Sequence, residues 1–203
     1  MTTVAGRDVS ALAERADALR RLHTGPRPLV LPNAWDVASA RLVAKAGFPV
    51  VATSSGAIAA TLGYEDNDSM PVDEAFGVIA RITRSVSVPV TADVEAGYGL
   101  SPEDLVERLL DAGAVGCNLE DTDHHRAAGL VDAGEHAERL RAVRRVAAQA
   151  GVEIVLERAD RRAASRGRSP RAVRGGRAAR ATVPSGGGRL RVPHPARGRG
   201  ADR

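Results

Sequence analysis

Two rhythms of apolar residues alternate along this chain. Short β-branched or leucine-rich runs at 29–34, 49–53, 88–93, 114–120 and 152–156 read as buried strands. Between them, apolar residues recur every three or four positions, which predicts helices over 9–23, 36–45, 72–85, 102–112 and 134–150. Leu12, Leu19 and Leu22 form the apolar side of the first. End signals agree with the pattern. Asp36 caps the second helix, with Gly47 just past its end. Ser101-Pro102-Glu103-Asp104 supplies an N-cap, a proline at the first helical position and an acid at the third. Such alternation with short connections predicts right-handed βαβ units on a parallel sheet. No glycine-rich dinucleotide fingerprint follows the first strand, so part of a barrel fits better than a dinucleotide-binding sheet. The expected fold over 1–156 is part of a parallel α/β barrel, with about five strand–helix units.

The candidate chemistry sits at strand ends. Asp93 and Glu95 follow the third run at i and i+2, where side chains on a strand share a face. In parallel α/β proteins that end of the strand is where ligands bind. Alone, the pair also fits loop capping or solvent-facing acids, and Tyr98 between two glycines also fits turn chemistry. The next run ends in Glu120-Asp121, again acidic. Carboxylates on neighbouring strand tips suit a hard cation, Mg²⁺ first, with Mn²⁺ as the alternative.

Composition refines this picture in two ways. The single Cys117 lies in an apolar run, which excludes an internal disulfide framework and fits a small buried hydrophobe in a reducing compartment. No apolar run approaches the roughly 20 residues of a membrane span, and no signal peptide is evident, so the expected compartment is the cytoplasm. The net charge of +4 averages two unlike pieces. Residues 157–203 hold 14 Arg against 3 acids, leaving 15 basic and 22 acidic side chains in residues 1–156. The Arg-rich stretch has no apolar stripe and no aromatic residue, so it reads as a disordered basic tail. Incidental contact with polyanions at low salt is expected of it, without specific nucleic-acid recognition.

The ordered part resembles the isocitrate lyase/phosphoenolpyruvate mutase superfamily, in particular its short phosphonomutase-like and methylisocitrate-lyase-like members. The likeness runs over about 29–156. It is carried by Leu31-Pro32-Asn33-Ala34-Trp35-Asp36, Thr53-Ser54-Ser55-Gly56, Gly63-Tyr64-Glu65-Asp66, Asp93-Val94-Glu95-Ala96-Gly97-Tyr98-Gly99 and Asn118-Leu119-Glu120-Asp121. The resemblance implies a (β/α)₈ TIM-barrel enzyme, of which residues 1–156 hold about five of the eight β/α units, that makes or breaks C–C or C–P bonds beside a 2-oxo acid, through an enolate-type intermediate and with Mg²⁺ as Lewis acid. By position it implies Asp93 as the acid nearest the metal, with Glu95 and Glu120 as outer, water-bridged partners. Ser55, Gly56 and Ala57 match the substrate-binding loop, and Asp66 the acid of a mobile gate. Asp66 and Tyr98 are the candidate catalytic residues. A small 2-oxo or 2-hydroxy acid is the expected partner, without a membrane, and the intact family forms homo-oligomers.

Two departures stand out. Family lyases carry a Lys-Lys-Cys-Gly-His loop after the fourth strand, where this chain reads Thr122-Asp123-His124-His125-Arg126. Without the Cys, an oxaloacetate-type hydrolase is the rival activity, and His124 and His125 are either substitute proton carriers or solvated loop residues. After the fifth strand the family reads Asn-Ala-Arg-Thr-Asp, where this chain reads Glu157-Arg158-Ala159-Asp160-Arg161. Codons for the latter, read one base later, can spell the former, which suggests a frameshift or truncation near Leu156. A five-stranded arc would leave two open edges and exposed inner apolar residues. Marginal stability and weak activity are then expected, down to a non-catalytic remnant.

Overall fold

The computed structural model describes residues 7–122 and 129–159. All of them fall in the compact unit Met1–Arg168, and the second unit, Ser169–Arg203, lies outside the described residues. Among the described residues six helices and five strands follow in the order α1 (Val9–His23), β1 (Asn33–Ala34), α2 (Val37–Lys45), β2 (Val51–Thr53), α3 (Ser55–Leu62), α4 (Val72–Ser85), β3 (Val90–Asp93), α5 (Pro102–Ala112), β4 (Gly116–Glu120), α6 (Ala133–Gln149) and β5 (Val155–Ala159). The sheet runs β1-β2-β3-β4-β5 with every pair parallel. That unbroken order has no reversal point of the kind that divides doubly wound sheets, and it is the order of a barrel. The architecture is the expected partial (β/α) barrel. No helix among the described residues is long and apolar enough to cross a membrane.

Local chemistry explains the helix ends. Asp36 and Ser39 form a reciprocal capping box at the start of α2, which pulls the Asp36 carboxyl below its usual range through the Ser39 hydrogen bonds. Ser101 caps α5 through the Asp104 N–H at 3.1 Å, and Gly113 ends it in the left-handed region at φ 80°.

Three boundaries differ from expectation. β1 keeps only two residues of the 29–34 run, because only Asn33 and Ala34 pair with β2. Ser54-Ser55-Gly56-Ala57, expected as the exit from the second strand, instead starts α3, with Ser54 as its N-cap. β5 begins at Val155 and runs through Ala159, three residues beyond the expected end at Leu156, pairing with β4 to Glu120. The histidines His124 and His125 and the tail from 160 onward lie outside the described residues.

The register sets two faces. Val51, Val90, Ala92, Cys117 and Leu119 are buried under the helices. The other face carries the row Asn33, Ala52, Thr91, Gly116, Val155. That row is mostly small or polar, so the apolar surface expected on the inner face is limited. Cys117 is fully buried as expected, and burial, then the charges of Glu157 and Asp93, push its thiol up to about 12. Such a thiol is inert near neutrality.

Leu19 of α1 reaches the inner row and is fully buried. A methyl group added at Gly116 would lie 2.7 Å from Leu19 Cδ2 and 3.1 Å from the Val155 carbonyl oxygen. The backbone contact cannot give way as a side chain could. Gly116→Ala is therefore expected to destabilise the fold by about 1–3 kcal/mol, read as a lowered denaturation midpoint with unchanged slope.

Candidate functional site

Three strand tips, of β2, β3 and β4, and the segment after β2 build one acidic corner. β3 ends at Asp93, whose main-chain N–H donates to Thr53 Oγ1 at 2.9 Å. Its carboxylate Oδ2 accepts the Ser55 N–H at 3.0 Å and the Ser55 hydroxyl at 2.7 Å. Asn118 Nδ2 stands 3.4 Å from Oδ1, which leaves that oxygen lightly held.

The Ser55 hydroxyl also lies 3.3 Å from Asp66 Oδ1. One proton cannot serve both acids at once, and the shorter distance places it on Asp93. Asp66 folds over the start of α3, so that a methyl group at Gly56 would sit 2.8 Å from its Oδ2. Of the three amides expected to hold substrate, Ser55 N–H is engaged by Asp93 and Ala57 N–H by Ser54 Oγ at 3.4 Å. The Gly56 N–H has no acceptor among the described residues.

Glu95 is placed differently from the expectation. The strand stops at Asp93, and Glu95 takes a left-handed backbone at φ 50°, so the two acids do not share a strand face. Glu95 is 1% exposed. Its Oε2 accepts the Asp68 N–H, while its Oε1 is buried without a partner. Burial, with the nearby charges of Asp68 and Asp66, pushes its carboxyl up to about 7 against the lowering effect of the Asp68 N–H. The Tyr98 hydroxyl is a near neighbour of Glu95, outside normal hydrogen-bond geometry, and is likewise buried without a partner. Burial and the charges of Glu95, Asp68 and Asp93 hold the Tyr98 phenol well above its ordinary range. Tyr98 therefore keeps its proton and can donate it in a hydrogen bond. Phe76 fixes its ring edge-on at a centroid distance of 6.3 Å.

Glu120 ends β4 beside this corner. Its N–H donates to the Glu95 carbonyl at 2.8 Å, and its carboxylate accepts the Thr122 hydroxyl at 3.1 Å. Asp93, Glu95 and Glu120 thus come from adjacent positions, but their carboxylates engage different partners. No three His, Cys, Asp or Glu donors among the described residues could enclose a metal directly.

The donor chemistry still fits a hydrated hard cation. Every available atom is an oxygen, Asp93 Oδ1 is lightly held, and Glu95 Oε1 is an orphaned buried acceptor.

Sequence reasoning missed two neighbours. Asp68, at φ 55°, presents its N–H to Glu95. Arg139 of α6 lies against Gly97, where a methyl group would be 2.6 Å from Nη2, and donates to the Leu100 carbonyl at 3.2 Å. Burial lowers the Arg139 pKa, and the Asp68 charge opposes that. Only its spacing within an amphipathic helix was visible in sequence.

Comparison with known proteins follows the same stretch of chain. The family model described as phosphoenolpyruvate phosphomutase matches residues 19–181. A relative from Corynebacterium glutamicum named "Probable 2-methylisocitrate lyase 2" is 34% identical over 149 residues, covering 71% of this chain and 48% of the relative. Oxaloacetate decarboxylase of Rhodopseudomonas palustris is 34% identical over 115 residues, 55% of this chain and 40% of the relative. The crystal structure of 2,3-dimethylmalate lyase, a PEP mutase/isocitrate lyase superfamily member, superposes with a TM-score of 0.63 at 27% identity, covering 71% of this chain and 51% of that one. The chain spans about half the length of the curated relatives it matches.

Proposed function

Because this chain belongs to the phosphoenolpyruvate phosphomutase family, whose superfamily includes lyases and mutases, we propose that it is a Mg²⁺-dependent lyase or mutase of a small 2-oxo or 2-hydroxy carboxylic acid. The observation that carries this reading is the Ser55 hydroxyl set between Asp66 and Asp93, beside the orphaned carboxylate oxygen of Glu95.

Asp93 would hold the ion, with Glu95 and Glu120 as its outer partners. When bound, Mg²⁺ supplies electrophilic stabilisation of an enolate-type oxyanion. Ser55 keeps the Asp93 carboxylate aimed through two hydrogen bonds. Asp66 covers the Gly56 amide and must swing aside for a substrate carboxylate to reach the start of α3. In that role it gates the site and carries a proton to or from the substrate. Tyr98, protonated throughout, offers its hydroxyl to negative charge developing near Glu95.

Gly56→Ala tests the gate. Its methyl group meets the far end of the Asp66 side chain, which can move, so stability should change by less than about 0.5 kcal/mol. Activity should fall at least about tenfold, because the added methyl group occupies the space a substrate carboxylate needs to reach the Gly56 amide.

The reaction class is tested by incubating the full chain and Mg²⁺ with 2-hydroxy acids, oxaloacetate and a phosphonate, and following products by NMR. Cleavage of a 2-hydroxy acid to a 2-oxo acid supports the lyase reading. Attack on oxaloacetate alone supports the rival, which the Cys-free stretch Thr122-Asp123-His124-His125-Arg126 favours. Mg²⁺-independent turnover, or none of these reactions, contradicts the proposal.

The out-of-frame origin of residues 157–203 is a separate proposal. Gene sequence across codons 150–165 decides it: an Asn-Ala-Arg-Thr-Asp run in the next frame supports it, and the lack of one removes it.

A further inference from the structure

The turn that carries Glu95 and Tyr98 is held in a backbone form its residues do not adopt unaided. Glu95 and Tyr98 stand in the left-handed region at φ 50° and φ 52°, with Gly97 between them at φ 88°. A residue with a Cβ takes that form at a cost, and two so close together persist only where the surroundings fix them. Within the turn the Gly97 N–H donates to the Val94 carbonyl at 2.7 Å, and the Leu100 N–H to the Gly97 carbonyl at 2.9 Å. Both bonds close the turn on itself. From outside, the Glu120 N–H holds the Glu95 carbonyl at 2.8 Å and the Phe76 ring packs against Tyr98.

Arg139 supplies the tie at the far end. It leaves α6 half-buried, and its Nη2 donates to the Leu100 carbonyl at 3.2 Å. On the way its guanidinium lies over Gly97, where a methyl group would be 2.6 Å from Nη2 and 3.5 Å from Cζ. The guanidinium therefore fills the place that any side chain at 97 would take. Its charge also acts on Asp68, whose N–H holds Glu95 Oε2. One cation from α6 thus bears on both segments that aim Glu95 and Tyr98. An apolar side chain would fill the same space without the cost of desolvating a charge, so packing alone does not account for an arginine here.

We infer that Arg139 is a positioning residue of the site, clamping the left-handed turn 95–100 so that the Tyr98 hydroxyl and the Glu95 carboxylate stay aimed, without itself touching substrate. The hold on the turn follows from geometry alone, whereas its effect on turnover rests on the proposed lyase or mutase activity.

The chain has two tyrosines, Tyr64 and Tyr98, so NMR of the metal-free full chain with labelled tyrosine rings reads the turn directly. Tyr64, whose hydroxyl donates to Glu74 at 2.8 Å, is the internal reference, and Tyr98→Phe assigns the two signals. In wild type the Phe76 ring should hold the Tyr98 signal away from its position in the unfolded chain. Arg139→Met keeps the length of the side chain and removes its charge and donors. It should return the Tyr98 signal towards the unfolded position and leave Tyr64 in place. Arg139→Lys, still charged and able to donate, should keep both signals at their wild-type positions. Arg139→Gln, neutral and too short to reach Leu100, should act as Arg139→Met does, and it decides the matter if the Met variant does not fold. On the proposed substrates the neutral variants should lower kcat at least about tenfold with KM within about twofold, and Arg139→Lys should restore most of kcat. A Tyr98 signal unmoved in the neutral variants, a loss shared equally by Tyr64, or a loss that Arg139→Lys does not restore overturns the inference. If Tyr98 responds as expected in a chain that turns over no acid, the clamp stands and the proposed activity alone is contradicted.

Discussion

Alanine in place of Asp93 is expected to lower turnover at least about a hundredfold, since loss of a metal-holding acid removes both the ion and the geometry built around it. The fold should also feel the change. Asp93 Oδ2 accepts the Ser55 N–H and hydroxyl, and the 4%-exposed Ser55 has no water to replace it. The cost is about 1–3 kcal/mol for donors left without an acceptor. Asp93→Asn separates the two effects. The amide oxygen still accepts from Ser55, so the melting temperature should return most of the way to wild type while turnover stays low. Steady-state rates and thermal melts on the three proteins check this. Recovery of both together would mean that Asp93 serves only the fold.

Without Mg²⁺ the protein should lose stability as the pH rises from about 4.5 to about 7. Burial lifts the Glu95 carboxyl from 4.5 to about 7, so the folded state binds a proton that the unfolded state has already released across that interval. Stability then falls with rising pH, because the native form holds more protons than the unfolded one. Below about 4.5 both states are protonated and Glu95 imposes no penalty. Above about 7 both are ionised and the full penalty remains, about 3 kcal/mol for a carboxyl moved from 4.5 to about 7. Glu95→Gln keeps the shape and abolishes the titration. Relative to wild type it should stabilise the metal-free chain at pH 8 by about that amount and leave it nearly unchanged at pH 4. Urea midpoints at the two pH values measure the difference. A substitution that destabilises equally at both would show that Glu95 contributes through packing or its Asp68 contact instead.

The helix framework was legible because its signals are local. Ser101, Pro102 and Asp104 announce the start of α5, and Gly113 its end, using contacts within four residues. The α3 helix was hidden by the same kind of evidence. Ser54-Ser55-Gly56-Ala57 reads as a loop, since serine and glycine are turn residues, yet Ser54 is an N-cap and Gly56 lies in the first turn. Period-two reasoning failed at Glu95 for a definite reason: the chain leaves the strand at Asp93 and turns left-handed two residues later.

The acids of the corner could be named from strand ends, but their individual partners could not. Ser55 on Asp93, Asp68 on Glu95 and His23 on Glu157 join positions 38, 27 and 134 residues apart. Nothing in the local pattern encodes those pairings. They follow from the order in which parallel strands stack and from the lengths of the loops between them.

Calorimetric titration of the full chain with Mg²⁺ tests most directly whether this corner is a cation site. One bound ion per chain, with affinity rising from pH 6 to pH 8 as Glu95 ionises and binding lost in Asp93→Ala, is the predicted result. Absence of saturable Mg²⁺ binding, or binding that Asp93→Ala leaves intact, would contradict it.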